Sequence, residues 1–301
     1  MRLRFTLRLV EIRTVGVVGC GLMGSGIAEV CARAGYATLV RELNDDLLTS
    51  GRQRIESSLE TAVERGKLAA SERAEALGRL KGTTRLEDFS VCDLVVEAAT
   101  ENPEIKKRTF AELDRICPPD AILASNTSSI PIIQMATATR RPDKVLGMHF
   151  MNPVPVMRLI EYVRTLTTSE ETLETARGFG ESLGKRIIVS KDRGGFIVNF
   201  LLIPYLTDAV RMFEQGFASR EDIDVGMMLG TSYPMGPFTL LDYVGLDTAL
   251  SIADILFDEF KESRFAAPTL LRQMVAAGYL GRKSGRGFYN YEAGEHPPSA
   301  R

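Results

Sequence analysis

Short apolar runs alternate with longer stretches of helical periodicity through the first two thirds of the chain. The apolar runs, rich in β-branched residues, fall at residues 14–18, 37–40, 94–97, 121–124 and 145–149. Short strands that alternate with helices are typical of βαβ units, in which helices connect the parallel strands of one sheet. The pattern therefore predicts an N-terminal α/β domain built on a parallel sheet.

Two regions depart from this alternation. Residues 44–81 are rich in charged residues and helix formers and are interrupted near Gly66, so we interpret them as an inserted helical hairpin. After Lys191 the strand pattern stops, and the sequence predicts helices at residues 196–217, 220–229, 246–260 and 268–277. We expect two domains, which suits a chain of 301 residues. They are residues 1–192, with an extension at 1–11, and an all-α domain at residues 193–301.

The charge balance narrows the choice of partners. Lysine and arginine number 37 against 39 aspartates and glutamates, so the chain lacks the overall positive field that attracts nucleic acid or anionic membranes. Nowhere do about 18 apolar residues run without interruption, which argues against a membrane span. We therefore expect neither a nucleic acid nor a membrane as partner.

The cysteines and the N-terminus indicate the compartment. The four cysteines form no CxxC pair and no regular framework, so neither a metal site nor a disulfide scaffold is expected, and a reducing cytoplasm fits best. Residues 1–10 carry three arginines but no apolar segment long enough for a signal peptide. We interpret them as a frayed extension, with an organelle transit peptide as the alternative.

A glycine-rich turn follows the first predicted strand. It reads Gly19-Cys20-Gly21-Leu22-Met23-Gly24, and the residues from Ser25 to Ala34 are predicted to be helical. In this context the first glycine permits a tight turn, the second lets the backbone approach a pyrophosphate, and the third allows close packing of helix and strand. The free N–H groups of the helix N-terminus then favour phosphate. The sequence therefore predicts a Rossmann-like domain that binds a dinucleotide.

The second predicted strand ends beside an acidic residue that bears on cofactor choice. Glu42 follows Gly24 by 18 residues, close to the position of the acid that bonds the adenosine ribose in NAD-binding domains. Glu42 therefore favours NAD over NADP. Its neighbour Arg41 leaves NADP open, because an arginine there accommodates a 2′-phosphate.

Only two histidines are available as a general base near neutral pH. His296 lies in a tail rich in Gly, Glu and Pro, whereas His149 ends a predicted strand, where ligands of α/β sheets gather. If residues 158–163 return as the second strand of a hairpin, His149 and Glu161 face each other, since each lies six residues from Pro155. A carboxylate beside an imidazole fixes its tautomer and favours its protonated form. The alternative is that His149 is a hydrogen-bonded core residue.

Two further polar sites are open to both a structural and a functional interpretation. The hydroxyls of residues 125–129 are typical of a turn or helix cap, and at least one of them could donate to a substrate oxygen. Asn199 lies in the apolar run 196–200, where a buried amide needs hydrogen-bond partners from the backbone or from a substrate.

Seven separated motifs resemble the short-chain L-3-hydroxyacyl-CoA dehydrogenases, especially the bacterial 3-hydroxybutyryl-CoA dehydrogenases. They cover nearly the whole chain: GxGLMGxGIA at 19–28, DLVVEAxxEN at 93–102, SNTSS at 125–129, HFMNPVPVMRLIE at 149–161, GFIVN at 195–199, YPMGPFxLLDYVGLD at 233–247 and GRKSGRGFYxY at 281–291. The resemblance implies an oxidoreductase of fatty acid metabolism that exchanges hydride between NAD and C3 of an (S)-3-hydroxyacyl-CoA.

The resemblance also implies roles for individual residues. His149 would be the catalytic base, Glu161 would orient it, and Ser128 and Asn199 would bond the substrate. The family places Glu101, Lys106, Ser128, Asn152 and Lys283 around the nicotinamide half of the cofactor, and it contacts CoA near Ser58 and Arg65. The helical domain resembles the family's dimerisation unit, so a homodimer is expected.

Two departures and two alternatives accompany this resemblance. The family usually has threonine and proline before GFIVN and arginine after it, where this chain has Arg193-Gly194 and Phe200, so the hinge and the dimer contacts are in question. One alternative is a related dehydrogenase of a non-CoA hydroxy acid such as L-gulonate or carnitine. The other is a non-catalytic NAD-binding protein, against which His149, Glu161, Ser128 and Asn199 argue together.

Overall fold

An eight-stranded sheet forms the centre of the first of two compact units in a computed structural model that describes residues 10–298. The division between the units falls between Arg193 and Gly194, one residue beyond the boundary drawn on the sequence. The strand order is β3-β2-β1-β4-β5-β6-β7-β8, and every neighbouring pair is parallel except β6 and β7. The strands are β1 Thr14–Val18, β2 Ala37–Arg41, β3 Leu80–Thr83, β4 Leu94–Glu97, β5 Ile122–Ser125, β6 Val145–Phe150, β7 Leu159–Arg164 and β8 Arg186–Lys191.

Within residues 10–193, six α-helices accompany this sheet. They are α1 Leu22–Arg33, α2 Asp45–Glu64, α3 Ala70–Arg79, α4 Pro103–Ile116, α5 Ile133–Ala136 and α6 Glu170–Ser182. Local capping explains where two of them begin. The Asn44 side chain accepts a hydrogen bond from the Leu47 amide at the start of α2, and the Asn102 side chain accepts two amides at the start of α4, with Pro103 in the first turn.

The predicted fold class is confirmed, and the strand pattern explains why. The central strands β1 and β4 are buried along nearly their whole length, as expected for parallel strands covered on both faces. Helices α2 and α3 form the predicted hairpin, and Gly66 lies in the turn between them. The chain order reverses between β2-β1 and β4-β5, so a crevice is expected outside the carboxyl ends of β1 and β4.

Several elements differ from those predicted. The predicted hairpin, 44–81, ends too late, because Leu80 and Lys81 already belong to β3, which pairs with β2. An edge strand such as β3 pairs through its backbone and needs no apolar pattern. The glycine-turn helix begins at Leu22 rather than Ser25, strands β3 and β8 were not predicted, and helices α4, α5, α6 and α9 had been given no bounds. The predicted extension, residues 1–11, lies outside the described residues except for Val10 and Glu11.

Helices alone make up the regular structure of the second unit over residues 194–298. The α-helices are α7 Val198–Glu214, α8 Arg220–Thr231, α9 Pro237–Val244, α10 Leu246–Phe260 and α11 Thr269–Ala276, and short 3₁₀ helices lie at Ser263–Phe265 and Arg282–Ser284. Phe238, Leu256 and Phe288 are among the buried side chains of its core. Across residues 10–298, no helix is long and apolar enough to span a membrane.

Two buried carboxylates connect the helices of this unit. Asp224 on α8 accepts hydrogen bonds from the backbone amides of Phe238 and Thr239 at the start of α9. Asp242 on α9 accepts the amides of Phe288 and Tyr289. Burial raises the pKa of Asp242, while these amides oppose the shift. The turn that contains Phe288 and Tyr289 is therefore fixed to α9 through the Asp242 side chain.

A third buried carboxylate, Asp114 near the end of α4, binds two arginines of the first unit. Its side chain is 4% exposed, and its oxygens lie 2.8 Å from Nε of Arg140 and 2.8 Å from Nε of Arg141. Burial by itself would raise the pKa of Asp114, but the hydrogen bonds from both arginines outweigh it and hold the pKa below its usual value.

We predict that Asp114→Asn lowers the free energy of unfolding at pH 7 by about 1.5–3 kcal/mol, the contribution of hydrogen bonds to a charged group. Because the folded-state pKa is depressed, this stabilisation is present above the unfolded-state pKa of about 3.9 and is lost as the pH falls through the folded value. Denaturant unfolding of both proteins between pH 7 and pH 3 measures the difference. A difference that did not shrink with acidification would contradict the assignment.

Candidate active site

Four neighbouring strands end together at one edge of the sheet. Val18 at the end of β1 is paired with Glu97 at the end of β4, and Glu97 with Ser125 at the end of β5. Ser125 is paired in turn with Gly147 in β6, two residues before His149. The loops that follow these strands therefore emerge side by side, in the crevice where α/β sheets bind ligands.

The glycine turn after β1 has the backbone geometry that its sequence predicts. Gly19 has a φ of +92°, and its N–H donates to the carbonyl oxygen of Arg41, which joins the turn to the end of β2. A Cβ added at Gly24 would lie 1.8 Å from the Gly19 carbonyl oxygen, so only glycine permits this close packing of α1.

The second glycine of the turn faces open space. A Cβ added at Gly21 would meet no atom within 4 Å, although Gly21 directly precedes the first turn of α1. The first-turn residue Leu22 is exposed, and Met23 packs partly against the core. The turn therefore leaves room for a group beside the helix N-terminus, where backbone N–H groups favour a phosphate. These residues fit a dinucleotide.

Glu42 lies against the same turn. One carboxylate oxygen accepts the Cys20 amide at 2.6 Å, and the other accepts the Leu43 amide at 3.1 Å. The Arg54 guanidinium of α2 donates to the Cys20 carbonyl oxygen at 3.0 Å. Glu42 is thus held in a fixed orientation beside the predicted dinucleotide site.

A cluster of polar residues joins the loops after β4 and β5. Glu101 accepts the Thr127 hydroxyl at 2.7 Å and the Ser128 amide at 3.1 Å. Behind it, the Lys106 ammonium lies 2.6 Å from Glu97 and 3.8 Å from Glu101. Lys106 and Glu97 are buried, whereas half of the Glu101 side chain is exposed. The predicted cofactor residues Glu101, Lys106 and Ser128 are therefore together.

His149 and Glu161 form a buried pair across the antiparallel strands β6 and β7. The two residues are register partners, and Nδ1 of His149 lies 3.2 Å from a carboxylate oxygen of Glu161. The predicted register of the hairpin is confirmed. Glu161 is fully buried and His149 is 7% exposed, so the carboxylate has little access to water and directs its charge at the imidazole.

Residues that the sequence analysis did not single out hold the surrounding loops. The Asn126 side chain accepts the backbone amide of Phe150, directly after His149. The Lys185 ammonium donates to the carbonyl oxygens of Val154 and Met157, in the loop that carries the exposed Asn152. A lysine before β8 gives no sequence signal of this role, since its partners are backbone atoms about 30 positions away.

The remaining predicted residues lie elsewhere. Ser58 is half-buried on α2 and hydrogen-bonds Glu29 of α1, whose pKa is raised mainly by burial, while Arg65 is exposed at the end of α2. Asn199 and Lys283 belong to the second unit. Asn199 is buried in the first turn of α7, and the Lys283 ammonium lies 2.6 Å from an Asp247 carboxylate oxygen.

Comparison with known families accounts for both units. Residues 14–193 match the NAD binding domain of 3-hydroxyacyl-CoA dehydrogenase, and residues 195–291 match the C-terminal domain of the same enzyme. The chain belongs to the 3-hydroxyacyl-CoA dehydrogenase family. The resemblance seen in the sequence is thereby confirmed.

Individual members of this family are similar over most of the chain. A 3-hydroxybutyryl-CoA dehydrogenase of Mycobacterium tuberculosis is 55% identical over 282 residues, which cover 93% of this chain and 99% of that protein. The mitochondrial hydroxyacyl-coenzyme A dehydrogenase of Homo sapiens is 44% identical and covers 93% of this chain and 92% of its own. The crystal structure of (S)-3-hydroxybutyryl-CoA dehydrogenase from Ralstonia eutropha superposes with a TM-score of 0.89 at 44% identity, covering 93% of this chain and 99% of that one.

The two glycines of the turn provide a test of dinucleotide binding that separates binding from folding. We predict that Gly21→Ala keeps the thermal stability of the parent, since its Cβ has open space, but weakens NADH binding at least about tenfold by blocking the approach of the pyrophosphate. Gly24→Ala should instead destabilise the domain, because its Cβ overlaps the Gly19 carbonyl. Thermal unfolding and NADH fluorescence titration measure both effects. Unchanged NADH affinity in Gly21→Ala would place the cofactor elsewhere.

Proposed function

We propose that this chain is an NAD-dependent 3-hydroxybutyryl-CoA dehydrogenase, which interconverts (S)-3-hydroxyacyl-CoA and 3-oxoacyl-CoA. The observation that carries the proposal is the buried His149–Glu161 pair at the same sheet edge as the glycine turn. A histidine that is oriented by a carboxylate can act as the general base that removes a hydroxyl proton. The 55% identity to a relative of that name supports the choice of substrate.

In the proposed oxidation, the C3 hydroxyl gives its proton to His149 while the C3 hydrogen leaves as hydride. The bound dinucleotide supplies the hydride acceptor. Because Nδ1 of His149 contacts Glu161, the nitrogen that accepts the proton is Nε2. Glu161 keeps the ring in this orientation and stabilises the imidazolium that forms. In the reverse direction, the same imidazolium returns the proton to the 3-oxo oxygen.

Other residues are proposed to bind and orient the reactants. Ser128 lies on the loop that Glu101 holds, and its hydroxyl is assigned to the substrate oxygen. Asn199 is assigned to the thioester region of the substrate. The nicotinamide half of the cofactor is assigned to Glu101, Lys106, Ser128, Asn152 and Lys283, and the CoA moiety to Ser58 and Arg65.

NAD rather than NADP is the proposed cofactor, on the charge and position of Glu42. Both oxygens of its carboxylate accept backbone amides beside the turn, so its negative charge is fixed where a 2′-phosphate would approach. Arg41 is the residue that could offset this effect, since its buried Nε has no hydrogen-bond partner within residues 10–298.

We also propose that the chain is a cytoplasmic homodimer formed through its helical unit. Leu201 on α7 and Leu229 on α8 are each about two-thirds exposed, and Val225 lies one turn before Leu229 on the same face. Exposed apolar side chains of this kind suit a subunit interface. The four cysteines are buried thiols, which suits a reducing compartment.

The proposed reaction predicts a specific loss in His149→Gln. Glutamine keeps a polar side chain of similar reach but cannot act as a base near neutral pH, so turnover with acetoacetyl-CoA and NADH should fall about 10²- to 10⁴-fold. NADH binding should remain nearly intact. Absorbance at the NADH band measures turnover, with free acetoacetate as the control substrate for the parent. If the parent reduced acetoacetate as well as acetoacetyl-CoA, the CoA assignment would be wrong. If His149→Gln kept the turnover of the parent, His149 would not be the base.

Cofactor choice is tested by Glu42→Ala. Removal of the carboxylate should weaken NADH binding selectively, by about 1–2 kcal/mol for the lost hydrogen bonds to ribose, and should relieve the repulsion of NADPH. Fluorescence titration of both dinucleotides against the parent and the variant gives the ratio of affinities. A gain for NADPH would implicate Arg41 in phosphate binding, whereas equal loss for both cofactors would contradict the ribose assignment.

A further inference from the structure

We propose that Glu97 is a positioning residue for the nicotinamide half of the site, a proposal that rests on the function proposed above. Glu97 holds the Lys106 ammonium away from Glu101, which leaves Glu101 bonded to the loop that carries Ser128. Without the Glu97 charge, Lys106 would attract Glu101 and pull it away from its hydrogen bonds to the Ser128 loop.

Both carboxylate oxygens of the buried Glu97 have hydrogen-bond partners. One oxygen lies 2.6 Å from the Lys106 ammonium and 3.0 Å from the Ser125 hydroxyl. The other accepts the backbone amide of Ala99 at 2.9 Å. Glu97 therefore binds one side chain of α4, one strand end and the first turn of its own loop. At 1% exposure it does not reach the crevice, so it can act on a ligand only through its neighbours.

Lys106 has two carboxylates within reach but is bonded to only one. Its ammonium lies 3.8 Å from an oxygen of Glu101, and a shift of about 1 Å would bring that contact to the length of a charge-assisted hydrogen bond. The ammonium is 2% exposed, so water cannot readily replace a lost partner. Removal of the Glu97 charge should therefore drive Lys106 toward Glu101.

Glu101 has partners that such a movement would break. Its oxygens accept the Thr127 hydroxyl and the Ser128 amide, and these two bonds connect the loop after β4 to the loop after β5. The oxygen that lies nearest Lys106 is the one that binds Thr127. A new Lys106–Glu101 bond would thus fall on the oxygen that holds Thr127, and the movement of Glu101 needed to form it would lengthen the bonds that fix the Ser128 loop.

Glu97→Gln is the variant that tests this role, because it removes the charge with little change of shape. We expect the NADH dissociation constant from fluorescence titration, and the KM for NAD, to rise about tenfold, within the range of coupling between contacting residues. The KM for acetoacetyl-CoA should rise as well, because the displaced loop also carries the Ser128 hydroxyl that is assigned to the substrate oxygen. Unchanged NADH affinity in a folded Glu97→Gln protein would overturn the proposal.

A double-mutant cycle tests whether Glu97 acts through Lys106. If it does, Lys106→Met removes the cation that Glu97 restrains, and Glu97→Gln should then have little further effect on NADH binding. The double variant should match Lys106→Met to within about twofold. Independent, multiplying losses from the two substitutions would show that Glu97 does not act by restraining Lys106.

Asp114→Asn is the matched control, since Asp114 lies on the same helix α4 as Lys106 and is also a buried, ion-paired carboxylate. It should lower thermal stability while leaving the NADH dissociation constant unchanged. If Glu97→Gln and Asp114→Asn lost NADH affinity equally, the effect of Glu97 would come from general destabilisation of the domain and not from positioning of Glu101. The direct titration also separates this proposal from the function: a parent that bound NADH but did not reduce acetoacetyl-CoA would refute the reaction, while the Glu97→Gln titration would still decide the role of Glu97.

Discussion

A carboxylate that leaves water must find donors inside the protein, and this requirement organises the edge of the sheet. Glu97 ends β4 and Glu161 lies in β7, and both are almost completely buried. The first is held by Lys106 of α4 and the second faces His149 of β6. Each carboxylate therefore fixes a residue from another element beside the ends of the strands. Buried charge therefore helps to position the loops at this edge of the sheet.

Local signals in the sequence were sufficient for the glycine turn and the hairpin. The spacing of Gly19, Gly21 and Gly24 predicts a tight turn packed closely against a helix, all within six consecutive residues. The structure has this turn. The His149–Glu161 register follows from a direct connection, residues 151–158, between two adjacent antiparallel strands, so residue counting about its centre predicts it. Strands β3 and β8 lie at the edges of the sheet, and there pairing depends on neighbouring backbone rather than on an apolar pattern.

The charge network escaped prediction because its partners come from different elements. Glu97 was visible as an acid at the end of the apolar run of β4, and a buried acid demands a partner. Nothing in the order of residues says that this partner is Lys106, on the helix that follows, rather than Arg108 or Lys107. The choice depends on the direction in which α4 leaves its cap at Asn102, which places the lysine side chain toward the sheet.

Two residues at which this chain was expected to depart from its family, Gly194 and Phe200, have close contacts within the helical unit. The Gly194 amide donates to a Glu259 carboxylate, and a Cβ at Gly194 would lie 1.9 Å from that same side chain, so Glu259 occupies the room that a larger residue would need. Phe200 packs edge-on to Phe260, with the Arg264 guanidinium over its ring. The cation–π contact with Arg264 and the ring contact with Phe260 therefore stabilise an aromatic side chain at position 200. Gly194 and Phe200 therefore belong to one arrangement around the end of α10.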